Sequence, residues 1–406
     1  MKYIRKYLFY IIAITIFGQF ITSCVCLEEK TNRRSILFYV AANNNLSSYA
    51  EDNLASMCLG YMPEGGVDDN VLLVYYHAVN SNPYLCRYYK DTDGKVVQEM
   101  IVTYDMNQNS ADASVFSQVL SDAEQAFPAD SHGLILWSHG TGWLPEGYYS
   151  NPVDKIAGAT EYSTNFVDPY LHLIKSDYVK SFGENNGSEI EIPDLAAALK
   201  DHYEFIIFDC CLMGGIEVAY ELKDKCDYLI FSQTEILAES FPYDMIMDPL
   251  FNTPETERES AMIKISQAYF DLYYYQTGIY QSATISVVKT SALKQLANSC
   301  NKIFNHNRDK MELVDPSKVQ GYFRFNKNWF YDIDDYISRI ASESEYDSFT
   351  SALNNAVIFK AATNYFLDLE IKKHSGLSTY IPNPEYEYLN NFYKTLKWNI
   401  STEMVE

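Results

Sequence analysis

The stretch from Glu204 to Leu222, EFIIFDCCLMGGIEVAYEL, decides how the rest of the chain is read. Phe205 to Phe208 form an apolar run of strand length, the pattern of a strand buried on both faces, and Gly214 and Gly215 open a helical stretch after it. Asp209, Cys210 and Cys211 therefore stand at the carboxyl end of a strand, the edge at which open α/β sheets bind their ligands. A thiol beside a helix amino terminus is biased toward its thiolate. Side chains alternate along a strand, so Asp209 and Cys211 are expected on one face and Cys210 on the other. Adjacent buried cysteines are also ordinary core residues, and only a nearby base makes one of them a nucleophile.

Such a base lies upstream in Gly133 to Trp143, GLILWSHGTGW. Leu134 to Trp137 are again a short apolar run, His139 stands at its carboxyl end, and Gly140 and Gly142 follow. If the two strands are parallel neighbours, His139 and Cys211 face each other across one sheet edge. That arrangement supplies a nucleophile and its base, with the amides of Gly140 and Cys211 available as an oxyanion hole.

At the amino terminus, Lys2, Arg5 and Lys6 precede an apolar core from Tyr7 to Phe20 and then Ile21-Thr22-Ser23-Cys24. This is the pattern of a secretory signal, too short and wrongly flanked for a spanning helix. Its end resembles a bacterial lipobox, which implies cleavage before Cys24 and lipidation of that sulfur. The expected organisation is a lipoprotein signal peptide over 1–23, a polar tether over 24–34, a catalytic core over 35–250 and a C-terminal part over 251–406 packed on it. The chain is thus expected to be exported and anchored to a membrane by lipid, in the periplasm or at the cell surface.

Of 31 Lys+Arg, three fall in the signal, which leaves 28 against 54 Asp+Glu and a net charge of −26. Such a surface argues against nucleic acid as a partner. Eight cysteines at wide, irregular spacing do not resemble a small disulfide scaffold, and neither a CxxC pair nor an HExxH is present, so no metal is expected in the site.

Strand-like and helical segments alternate along the chain. Ser35 to Ala42 and Val71 to His77 read as strands, with a helix from about Ser47 to Cys58 between them, capped by Asn or Ser. Tyr84 to Tyr89 and Val96 to Tyr104 flank the turn Asp91-Thr92-Asp93-Gly94 as a hairpin. Ala111 to Phe127 has apolar residues at helical spacing, Tyr228 to Ser232 is a further strand, and Gln233 to Asp244 is a loop at the same sheet edge. This is the grammar of a mostly parallel sheet flanked by helices on both faces. Leu144 to Glu189 is too long for an ordinary connection and reads as a functional loop or a disordered one.

Four segments, Ile36 to Leu46 (ILFYVAANNNL), Leu134 to Trp143, Phe208 to Val218 (FDCCLMGGIEV) and His374 to Pro382 (HSGLSTYIP), together resemble the clostripain family of cysteine peptidases, members of the caspase-like clan. The likeness runs in order from about Ile36 to Trp398. It implies an α/β caspase-like core with a C-terminal α/β extension, hydrolysis after Arg or Lys, and maturation by internal cleavage. By motif position His139 matches the catalytic histidine and Cys211 the catalytic cysteine. Asp209 matches the acidic residue of the pocket for a basic side chain, a role in which a carboxylate pairs with a guanidinium or ammonium. Its other reading is a cap for the following helix.

Asn43 stands where family members commonly have Asp, and Gln233 to Asp244 is only loosely similar to the acidic, Gly-rich stretch found there. Calcium dependence, known in some relatives, is not assigned: Asp332, Asp334 and Asp335 read as a helix cap or a solvated face rather than a metal site. Lys155, Lys175 and Lys180 offer basic cleavage points between 144 and 189. The alternative to a peptidase is a catalytically inactive surface binding protein of the same fold, favoured if the site is blocked or Cys211 is tied to Cys210.

Overall fold

Nine strands form one sheet in the computed structural model, which describes residues 34–66, 69–154, 168–170, 173–174, 182–185, 188–325 and 327–406. The expected signal peptide, Cys24 and the three candidate cleavage lysines lie outside the described residues. Strands β1 (Arg34–Ala42) and β2 (Val71–Ala78) are buried along their whole length, as an apolar run inside a parallel sheet requires. β3 (Tyr84–Lys90) and β4 (Val96–Thr103) are the expected hairpin, closed by Gly94 at φ +76° and by Asp91, whose carboxylate accepts from the amides of Asp93 and Lys95. β5 (Ser131–Trp137) carries the histidine motif. β6 (Phe182–Asn185) and β7 (Ser188–Ile190) make a small separate hairpin, and β8 (Tyr203–Asp209) carries the cysteine motif. β9 (Cys226–Phe231), β10 (Thr284–Lys289), the two-residue β11 (Tyr331–Asp332) and β12 (Val357–Ala362) follow.

The order across the sheet is β12-β10-β9-β8-β5-β1-β2-β3-β4. Its centre, β9 to β2, is parallel, while β10 and β12 on one side and β3 and β4 on the other run antiparallel. Two contacting sets of helices flank it. One joins Ser47–Leu59, Tyr243–Asn252 and Arg258–Tyr274; the other includes Ala113–Ala126, Ile192–Ala198, Ile216–Glu221 and Lys397–Thr402. The fold class expected from the sequence is therefore observed, and its C-terminal extension adds β10 and β12 to the same sheet. β11 pairs instead with Ser378–Thr379.

One local expectation is corrected. The helix Ser47–Leu59 has Leu46 at its N-cap and no side-chain cap bond. The polar residues before it shape the turn instead: Asn44 accepts from the Leu46 amide at 2.9 Å and donates to the Ala41 carbonyl at 3.3 Å. Ser47 donates to the Ala42 carbonyl at 2.5 Å and accepts from the Val79 amide at 3.0 Å. In the C-terminal part, Asp332 caps the helix Ile333–Ile340 by accepting from the Asp335 amide, which gives the acidic cluster a structural use.

Candidate active site

β5 and β8 are parallel neighbours in register, with Trp137 opposite Asp209. His139 and Cys211, each two residues further on, therefore leave the sheet at the same level of its carboxyl edge. The end of β5 is fixed by Trp137, whose indole donates to Asn53 at 2.7 Å, and by Ser138, whose hydroxyl donates to the Ala41 carbonyl at 2.6 Å.

Glycines let the two strand ends approach backbone to backbone. A Cβ on Gly140 would lie 2.7 Å from the Cys211 carbonyl oxygen, and one on Gly142, where φ is +64°, 2.7 Å from that of Leu212. Leu212 itself has φ +61°, so the chain turns sharply just after the cysteine. That turn is held by the Leu212 amide on the Thr234 carbonyl and the Gly214 amide on that of Ser232.

The expected sorting of the triplet is visible in its partners. Cys210 points toward β5, its thiol donating to the Leu136 carbonyl at 3.2 Å. Cys211 and Asp209 both meet the segment after β9. The Cys211 sulfur accepts from the Ile236 amide at 3.2 Å, and the Asp209 carboxylate accepts from the hydroxyls of Ser240 and, at 2.7 Å, Tyr243. Both cysteines are free thiols. The site is closed: Asp209 and Cys211 have no exposed surface and His139 has 1%.

Sequence reasoning missed three participants. Asn45, in the turn after β1, places its side-chain oxygen 2.8 Å from His139 Nε2. Glu217, in the first turn of the helix Ile216–Glu221, accepts from the Thr379 hydroxyl (3.0 Å), the Tyr380 amide (2.9 Å) and the Tyr393 hydroxyl (2.8 Å). Together with the Ser378 amide on the Gly214 carbonyl, these bonds fasten the His374 to Pro382 motif onto the turn after Cys211. Burial pushes the Glu217 carboxyl up to about 7.

The third is Arg324. It forms a two-pronged pair with Asp168 (2.7 and 2.9 Å), donates to Asp368 at 2.8 Å and reaches Glu235 at 3.4 Å. Asp168 belongs to the long segment between the two motifs, and Glu235 directly precedes Ile236. Beyond Asp168, the Leu173 carbonyl accepts from the Ala238 amide at 2.9 Å and Ile174 bridges Leu237 antiparallel. Lys327 holds an earlier part of the same segment by donating to the Tyr149 carbonyl, and burial pushes its ammonium down to about 8. A repeat or a periodicity would have signalled these contacts; single paired residues far apart in sequence leave neither.

Among the described residues, no cluster of His, Cys, Asp or Glu is arranged to hold a metal ion, and no helix is long and apolar enough to cross a membrane. The chain matches the profile of the Clostripain family over residues 38–166 and 170–403. The chain belongs to the clostripain family of cysteine endopeptidases. Its similarity to clostripain from Hathewaya histolytica is 25% identity over 244 residues, 54% of this chain and 43% of clostripain, so the match spans less than half of that relative. Among solved structures, an inactive zymogen C11 protease from Parabacteroides distasonis is 34% identical with a TM-score of 0.73, over 91% of this chain and 98% of that one. A secreted C11 cysteine protease from Bacteroides thetaiotaomicron, bound to an irreversible peptide inhibitor, is 29% identical with a TM-score of 0.72, over 92% and 99%.

Proposed function

We propose that this clostripain-family chain is an exported, lipid-anchored endopeptidase that cleaves after Arg or Lys with a Cys211–His139 dyad. The observation that carries the reading is the register of β5 and β8, which brings His139 and Cys211 to one level of the sheet edge with Asp209 on the sulfur's side. His139 takes the Cys211 proton, and the thiolate sulfur attacks the carbonyl carbon after the basic residue. The amides of Gly140 and Cys211 stabilise the oxyanion. As the C–N bond breaks, His139 returns the proton to the leaving amine. Water, deprotonated by His139, then hydrolyses the thioester and restores the thiol.

Asp209 is the group that pairs with the substrate's guanidinium or ammonium, exchanging the hydroxyls of Ser240 and Tyr243 for it. The anchor is the sulfur of Cys24. Maturation is by cleavage between 144 and 189, with Lys155, Lys175 and Lys180 as candidate sites. Two features support a latent uncleaved form: the lack of exposed surface at Asp209 and Cys211, and the pairing of Leu173 and Ile174 with the segment beside the nucleophile. The Parabacteroides relative was itself captured as an inactive zymogen.

The test is turnover of fluorogenic peptides ending in Arg, Lys, Asp or Leu, under reducing conditions, before and after limited proteolysis. Hydrolysis after Arg or Lys is expected, lost in Cys211→Ala and kept in Cys210→Ala. Asp209→Asn should lower kcat/KM for basic peptides by about a hundredfold or more. Cleavage after another residue overturns the role of Asp209. No turnover in any arm leaves the inactive binding protein as the better description.

A further inference from the structure

The dyad contains a histidine ring whose far side is not left to solvent. His139 is almost wholly buried, while Asn45 is an exposed residue whose side-chain oxygen lies 2.8 Å from Nε2. An amide oxygen only accepts, so the ring nitrogen facing it must carry a hydrogen. We propose that Asn45 is the positioning residue of the dyad, holding His139 in the Nε2–H tautomer so that Nδ1 is the nitrogen that exchanges the proton with the Cys211 sulfur and the leaving amine. The proposal rests on the peptidase reading above but concerns a different residue.

The three consecutive asparagines after β1 divide the work. Asn43 donates to the Asn185 side chain at 2.8 Å, tying the turn to β6. Asn44 closes the turn through its bonds to Leu46 and Ala41, and Ser47 braces it from the following helix. Asn45 is thereby carried to the ring on a turn that Asn44 and Ser47 shape. β1 and β5 are in register, with Val40 opposite Trp137, so the turn and His139 leave adjacent strands at the same sheet edge. A neutral acceptor fixes the ring without adding charge. A carboxylate there would instead stabilise the imidazolium and hold the proton that the leaving amine needs.

The experiment compares Asn45→Ala, Asn45→Asp and wild type by two readouts. The first needs no turnover: long-range proton–nitrogen correlation spectra of histidine-labelled Cys211→Ala protein, in which His139 is expected to be Nε2-protonated when neutral. Adding Asn45→Ala should give a mixture of tautomers at unchanged Tm. The second is kinetic, in chains that retain Cys211. Asn45→Ala is expected to lower kcat about tenfold or more with KM within twofold. Asn45→Asp should move the alkaline limb of the kcat profile upward by about one pH unit.

An Nδ1-protonated ring in the Asn45-containing protein overturns the proposal whether or not the chain cleaves peptides. So does a tautomer unchanged by Asn45→Ala, or equal losses in both variants with an unmoved pH profile. Failure of the peptidase reading would appear separately, as no turnover in the chain that retains Asn45 and Cys211.

Discussion

At Glu217 the carboxyl is fully buried and held by Thr379, Tyr380 and Tyr393, and burial raises it from an ordinary 4.5 to about 7. A raised acid binds its proton more tightly in the folded chain than in the unfolded one. Its contribution to stability is complete below about 4.5 and is lost as pH rises through about 7. Glu217→Gln keeps the shape without the titration. It should flatten that slope and gain roughly 1–3 kcal/mol at pH 8 relative to pH 5, measured by denaturant unfolding at both; parallel slopes would reject the assignment. Neither Glu217 nor Asn45 could be picked from the sequence, since their partners lie about 160 and 94 residues away and one of three consecutive asparagines looks like the next. The placement of His139 and Cys211 at the ends of neighbouring strands was legible because apolar strand runs and glycine punctuation are local signals.

Between residues and the whole molecule stand the contacts that hold the segment after His139. Arg324 grips Asp168 and Glu235 together, and the carbonyl of Leu173 lies on the amide of Ala238, two residues beyond the Ile236 amide that meets the Cys211 sulfur. Arg324→Ala strips the guanidinium from the buried Glu235 and the half-buried Asp168, and breaking a buried pair of this kind costs roughly 3–5 kcal/mol. The loss should fall on this strap before the sheet. Alkylation of Cys211 by iodoacetamide in the uncut chain is expected to quicken about tenfold, with Arg324→Lys between, because an ammonium lacks the two-pronged fork. An unchanged alkylation rate with folding intact would mean that Arg324 does not close the site. The sequence marked this segment as too long for a plain connection, but a two-residue pairing such as Leu173–Ile174 has no periodicity to reveal it. The strands on either side did, through apolar runs that parallel burial demands.

For the whole molecule, the C-terminal part is not an appendage. β10 and β12 extend the sheet beside β9. Gly376 accepts from the Gln233 side chain at 2.9 Å, and the Ser378 amide bonds to Gly214, just beyond Cys211. A chain ended at residue 356 would lose the edge strand β12, all partners of Glu217 and the brace on the Cys211 turn. It should fail to fold to an active form, and the intact chain should unfold in a single calorimetric transition; a truncated chain with turnover would contradict both. The sequence showed the motif at His374 to Pro382 but not its target, because an edge strand such as VIFKAA and a brace across 160 residues are fixed by tertiary contact alone. The closure of the site also reaches into redox chemistry. A sulfur without exposed surface is hidden from peroxide as well as from peptides, so the fold shields the Cys211 thiol from oxidation. Opening the strap would expose that sulfur to oxidants and to peptides together.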